Sequence, residues 1–397
     1  MIKTIIKLPN GAELSSGTGA ANTIQSVTIT ECVNDSTELS PGSTCASILE
    51  ARILTSGNDL VLNAGDEVTV YTEDDKGQRE SVGLFTMGKP VRASANSISL
   101  TAYDRVTWLD KDLSSWLSGL NDWPYTLSTF AQMVCEECGL ILANPSIPNG
   151  SYMVQKFGTQ GITGRKLIQW VGQIAGRFCR ATAMGKLEFA WYTSSGVNIT
   201  PDGEDFYYQN GLSYADYSVA EIEKVQLKLT ADDVGVVWPT DTGEKNTLIV
   251  AGNYLLTTSS SANLKPVAEE LYKQVKSIAY TPCKVTLPAA SKVRAGNTVQ
   301  ITDRNGKTFT AYMMTRVRTG QRATLESTGS QRRDSTTAVN EESYRTLNGK
   351  ILEIQKNVEG FSVAARKFEE LEVGGRNLIR NSVNLIYEDY NFMTPQE

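Results

Sequence analysis

Residues 64–70 read AGDEVTV and residues 295–301 read AGNTVQI. Both follow A-G-[DN]-x-V-x-[VI]. The glycine suits a turn, and the residues after it alternate apolar with polar, as a strand with one buried face does. Each stretch runs on into a polar turn with a glycine, Gly77 in one case and Gly306 in the other. An aromatic-containing strand then follows, with Phe85 in the first and Phe309 and Tyr312 in the second. Asn305-Gly306 is by itself a strong hairpin signal. Two unrelated hairpins would share the local pattern. The shared order of turn, strand, turn and aromatic strand points instead to two copies of one β-domain.

Working outward, the remaining segments arrange themselves around these copies. Residues 1–104 carry further strand-like runs, IQSVTITECV, SILEARILTS and SISLTAYD, punctuated by turn formers. We read them as a first β-barrel-like domain. Residues 105–211 change character. TLSTFAQMVCEECG places Leu127, Phe130, Val134 and Cys138 on one helical face, with Gly139 suited to the C-cap. TGRKLIQWVGQIAGRF repeats the pattern with Leu167, Trp170, Val171, Ile174 and Phe178, and RATAMGKLEFAWY predicts a hairpin across Met184-Gly185. This is a small α+β domain. Residues 212–330 return to sheet, as KVQLKLTADD and KNTLIVAGNYLL. They include one helix with Val267, Leu271, Val275 and Ile278 as its stripe and Pro266 in its first turn. The fold expected is mainly β with an α+β insert, two related β-domains flanking it.

Residues 331–343 are small and polar, a linker. Beyond it, over 344–372, Tyr344, Leu347, Ile351, Ile354, Val358, Phe361, Ala365 and Phe368 recur at alternating spacings of three and four. That is a heptad seam with no polar residue at a or d. Ile at both positions and large residues at d shift the preference from two strands toward three or four. Gly349 and Gly360 each weaken an isolated helix by ~1 kcal/mol. A single amphipathic helix packed on its own chain is the competing interpretation. A trimeric coiled coil is the expectation.

Composition removes whole classes of function. The chain of 397 residues has no histidine, so it cannot supply the imidazole of Ser-His-Asp or Cys-His catalysis or of most catalytic zinc sites. A pair of carboxylates needs none, and Glu73-Asp74-Asp75 and Asp202-Gly203-Glu204-Asp205 are the groupings to check. Both lie in turn-like polar stretches where charge is ordinarily solvated. Cys135 and Cys138 form a CxxC, but inside a helix, and the other four cysteines are scattered singly. Neither metal nor cofactor is expected. The net charge of −6 argues against sequence-specific nucleic-acid binding. RVRTGQR and SQRRDS are brief basic patches suited to surface contacts between proteins. No run approaches the ~20 apolar residues of a membrane span, and the N-terminus lacks a signal-peptide core, so folding in a cytoplasm is expected.

Taken in order, several stretches resemble the baseplate hub, or tail-associated, proteins of long-tailed bacteriophages and phage-tail-like particles. They are GDEVTVYTEDDKGQRESVGLFTM with SISLTAYDRVTWLDKDL, the two helical stretches of 105–211, and the run from NLKPVAEELYKQVKSIAY to TAYMMTRV. The resemblance covers roughly 1–330 and rests on the ordered set. It implies a homotrimer whose two β-domains per chain make six similar units, matching a sixfold tail tube to a threefold tip. The partners implied are the tube-end ring, the tape-measure protein and other baseplate or tip proteins, in the virion tail tip. GGRNLIRNS and NLIYEDYNF, within 373–397, resemble the opening of a jelly-roll module. Too few residues follow to complete a sandwich of ~100 residues, so the natural chain is expected to continue. The expected function is a non-enzymatic hub that closes or gates the channel and carries host-facing modules. The alternative is a wall-degrading or carbohydrate-binding tip protein.

Overall fold

A computed structural model describes residues 2–17, 22–55, 60–158, 161–228, 235–240, 246–256 and 261–331, and the backbone alone of 351–357 and 360–366. Its strands begin with β1 (Lys3–Lys7), β2 (Glu13–Ser15), β3 (Ile24–Cys32), β4 (Ile48–Leu54), β5 (Glu67–Glu73), β6 (Arg79–Met87), β7 (Val91–Ser94) and β8 (Ser97–Asp104). A 3-10 turn, Arg105–Asp110, leads to α1 (Ser114–Ser118), β9 (Tyr125–Thr126), α2 (Leu127–Glu137), β10 (Met153–Val154) and α3 (Gly164–Ala175). Then come β11 (Phe178–Ala181), β12 (Leu187–Ala190), β13 (Thr193–Ile199), β14 (Leu212–Tyr214), β15 (Lys224–Leu227), β16 (Val236–Trp238), β17 (Thr247–Val250) and α4 (Ser261–Val275). The order closes with β18 (Cys283–Pro288), β19 (Asn297–Thr302), β20 (Thr308–Tyr312), β21 (Thr315–Thr319), β22 (Arg322–Ser327), β23 (Ile351–Asn357) and β24 (Gly360–Arg366).

The two AG[DN] stretches open the hairpins β5–β6 and β19–β20, and the likeness extends to single hydrogen bonds. Gly65 N–H donates to the Met87 carbonyl at 2.8 Å, and Gly296 N–H to the Met313 carbonyl at 2.7 Å. Both glycines sit at positive φ, 87° and 89°, where a side chain would be strained. At the hairpin tips, Asp74 Oδ1 accepts from the N–H of Lys76 and Gln78, and Asp303 Oδ1 from those of Asn305 and Lys307. Val68 and Val70 are buried in one hairpin, Val299 and Ile301 in the other. The flanking pairings also correspond. β8 pairs with both β4 and β7, and β22 pairs with both β18 and β21. β4 pairs with β3, and β18 with β14.

These copies do not stand apart. β21 pairs antiparallel with β3, Val317 opposite Thr30, so β14, β18, β22 and β21 of the second copy join the first in one twelve-stranded sheet, while the hairpin β19–β20 pairs with β13 in a separate three-stranded sheet. Each copy keeps its own core. Ile6, Leu49, Phe85 and Leu100 lie in the first, and Val285, Ile301, Phe309 and Leu325 in the second.

The third core is the largest and gathers two separate lengths of chain. It holds Phe130 and Val134 of α2, Leu167, Trp170 and Ile174 of α3, and Leu187 and Phe189 of β12. Packed with them are Val225 and Leu248 of the β15–β17 sheet and Leu264, Leu271 and Val275 of α4. The sequence reading put α4 and these strands with the second β-domain. Their apolar stripe packs in the central core instead, because α4 faces β15, β16 and α3. Pro266 also differs from expectation. The helix begins at Ser261, so the proline lies in its interior, past the first turn. Thr126 and Thr163 cap α2 and α3 by accepting from Thr129 N–H and Lys166 N–H. Phe178, expected on the α3 face, starts β11, since Gly176 at φ 66° ends the helix.

The exit from β8 is controlled by a buried carboxylate. Asp104 accepts from Ser47 N–H (2.8 Å) and Val106 N–H (3.0 Å), capping the 3-10 turn. Burial pushes its carboxyl up to about 6, against the lowering effect of these bonds and of Arg165. A carboxyl raised in this way holds its proton more tightly folded than unfolded. Its contribution therefore declines as pH rises from ~4 towards 6, by up to about 3 kcal/mol. We expect the melting-temperature advantage of wild type over Asp104→Asn to shrink from pH 4 to pH 7. Parallel melting curves across that range would contradict the assignment.

Candidate assembly surface

In the first carboxylate grouping, Glu73 and Asp74 do structural work. Glu73 accepts from Arg79 Nε at 2.9 Å and Lys3 Nζ at 3.5 Å, and Asp74 braces the β5–β6 turn. Hydrogen bonding to Arg79 holds the Glu73 carboxyl below its ordinary range. The stretch 202–205 forms a turn in which Thr200 Oγ1 accepts from Gly203 N–H and the Asp205 carbonyl from Thr200 N–H.

Cys135 and Cys138 lie at the C-terminal end of α2, both buried, and burial pushes both thiols up to about 12. Thiols held neutral at physiological pH are poor nucleophiles and poor ligands. All six cysteines are free and buried. A thiol reagent should therefore label the native protein slowly and all six groups after denaturation. Rapid native labelling of two thiols would revive a redox role for the pair.

The seam between the two β-copies has the most unusual chemistry among the described residues. β21 presents Arg316 and Arg318 inward, at 2% and 4% exposure, and Val317 outward. Glu31 Oε1, on β3, accepts from Arg294 Nη1 (2.9 Å) and Arg316 Nη1 (3.2 Å), and Arg294 reaches Glu80 at 2.7 Å. Burial alone would raise the Glu31 carboxyl; Arg316 and Arg294 outweigh it and hold it low. Among the described residues Arg318 has no carboxylate at ion-pair distance. Its Nη2 donates to Thr4 Oγ1 at 3.1 Å, and burial, helped by repulsion from Arg316 and Arg294, brings it down to about 10. RVRTGQR, expected as a surface patch, thus has two of its arginines buried in the seam. Nothing in its sequence signals this, because the partner carboxylate lies in β3, at the other end of the chain.

The eight heptad positions fall differently. Tyr344, Leu347, Val358 and Phe368 lie outside the described residues. Around Ile351, Ile354, Phe361 and Ala365 the backbone runs as β23 and β24, paired antiparallel, where the spacing predicts helix. The residues suit either state: Ile, Val and Phe favour strands, and Gly360 disfavours helix. A heptad seam also gains its burial only from partner helices, which one chain does not provide. The linker and 373–397 lie outside the described residues, apart from Gln331.

Among the described residues, no helix is long and apolar enough to cross a membrane. No family model matches the sequence, and no curated protein does. Solved structures do. A tail protein from Neisseria meningitidis shares 13% identity, covering 83% of this chain and 96% of its own, with a TM-score of 0.52. A 43 kDa tail protein of prophage MuSo2 from Shewanella oneidensis shares 14%, covering 82% and 97%, with a TM-score of 0.49. A type VI secretion component from E. coli shares 9%, covering 87% and 97%, at 0.43. At these identities the Neisseria likeness establishes a common fold over nearly the whole of that protein. The neighbours are phage-tail and tail-like proteins, the group that the sequence resembles.

Proposed function

We propose that this chain is a structural ring component of the tail of a phage or phage-tail-like particle, a homotrimeric hub between tube and tip. The observation that carries the reading is the duplicated β-unit. Four strands of the second copy, β14, β18, β22 and β21, continue the sheet of the first, so three chains supply six similar units to a sixfold tube end while retaining a threefold axis. The fold shared with the Neisseria tail protein supports it. So does the use of Glu73 and Asp74 in bracing the β5–β6 hairpin. In this role the hub contacts the tube-end ring and neighbouring baseplate proteins, closes or gates the channel, and sends residues 344–397 outward along the axis, where three chains wind the heptad seam together.

Antibody raised against residues 1–330 should mark one end of negatively stained tails, at the tip. Labelling along the tube, or none, would contradict the placement. Cleavage of peptidoglycan by the purified chain would favour the alternative.

A further inference from the structure

The pairing that joins the two β-copies leaves its own counterpart open. Residue equivalences follow from the ladders. The two-residue turns before β8 and β22 place Ser94 opposite Ser97 and Thr319 opposite Arg322, which matches Leu100 with Leu325. Leu100 lies opposite Ala51, and Leu325 opposite Val285. Those in turn lie opposite Val27 of β3 and Leu212 of β14. So β3 corresponds to β14, with Ile29 matched to Tyr214 and Thr30 to Ala215. On the other side, Val91 lies opposite Ser99 and Val317 opposite Thr324. A bulge in β7 then matches Val91-Arg92 with Val317-Arg318, the same two residue types.

Within the chain, β21 of the second copy covers β3 of the first. Among the described residues the corresponding strands, β7 of the first copy and β14 of the second, each have one neighbour, β8 and β18 respectively. All four residues of β7 are exposed, and Val91 is 60% exposed. Arg318 is buried beneath the seam, whereas its counterpart Arg92 is exposed and donates only to the carbonyl of Ala95 among the described residues. An unpaired edge presents a row of N–H and C=O groups that another strand can complete.

We propose that β7 of one chain pairs antiparallel with β14 of a second copy, reproducing the β21–β3 seam between chains. In that register Val91 faces Ala215 of the second copy and Arg92 faces Tyr214, as Val317 faces Thr30 and Arg318 faces Ile29 within the chain. The occupant is a second copy because the seam is already built once from the equivalent edges of the same unit. The contact is head-to-tail, so it repeats until a ring closes. The inference rests on the ring reading above and assigns its interface.

Cysteine cross-linking of the full chain tests it. Oxidised Val91→Cys/Ala215→Cys protein should give covalent dimer and trimer and nothing larger, while either single variant stays monomeric on a denaturing gel. Val317→Cys/Thr30→Cys should close within one chain and report that the seam geometry tolerates a disulfide. Native mass spectrometry of the unsubstituted chain separates the two levels. A trimer whose Val91/Ala215 variant does not cross-link, while the internal control closes, overturns the interface and leaves the ring reading intact. A monomer with no inter-chain cross-link overturns both.

Discussion

Replacing Glu31 by alanine is expected to destabilise the protein by about 3–5 kcal/mol, the range for removing one partner of a buried ion pair. The loss exceeds that of an ordinary surface bridge, about 0–1 kcal/mol, because the side chain is only 18% exposed and holds two arginines at once. Without it, Arg294 keeps Glu80, but among the described residues Arg316 keeps only the Ala289 carbonyl at 3.4 Å. Three guanidinium groups then share the seam with no internal carboxylate. Urea unfolding measures the effect. The depressed Glu31 pKa also fixes its sign with pH: the contribution is present above roughly pH 4.3 and is lost as pH falls through the folded value. Arg318→Leu should act oppositely and stabilise by about 1 kcal/mol, since a buried cation held among the described residues only by the Thr4 hydroxyl gives way to an apolar group. A Glu31 variant within 1 kcal/mol of wild type would mean that the seam is wetter or looser than described.

Gly42→Ala is expected to cost about 2–5 kcal/mol, combining a left-handed backbone penalty with overpacking. Gly42 has φ 94°, and an added Cβ would lie 2.6 Å from Gln173 Cγ and 2.7 Å from the Gln169 carbonyl. Gly172 of α3 faces it, its own Cβ position 2.9 Å from Gly42 Cα. The pair lets the loop after β3 lie directly on α3, where Gly42 N–H donates to the Arg177 carbonyl and Arg165 to the Thr44 carbonyl. This contact docks the first β-copy onto the central core. A urea midpoint unchanged by the substitution would show that the loop can lift away freely.

The sequence made the repeat legible because turn chemistry is local. AG[DN], the polar tip with its glycine and the alternating valines all act within a dozen or so residues, and each reappears as a hydrogen bond or a buried side chain. Helices α2 and α3 were legible for the same reason. What stayed hidden depends on which core a stripe joins. α4 has a clear apolar face, but nothing in that face says that it packs on α3, in the core that spans both sides of β13 and β14. Arg316 and Arg318 read as surface charge because their environment is built by β3, almost three hundred residues earlier in the chain. The seam itself is a pairing of edges, and edge pairing leaves no mark in either strand alone. The heptad stretch shows the limit from the other side: its spacing predicts helix, and around Ile351, Ile354, Phe361 and Ala365 the backbone runs as paired strands.

Native mass spectrometry of the full 397-residue chain at micromolar concentration tests the ring most directly. The expected species is a complex of three chains, resistant to dilution through the low micromolar range. A monomer across that range, or a closed dimer, would contradict it.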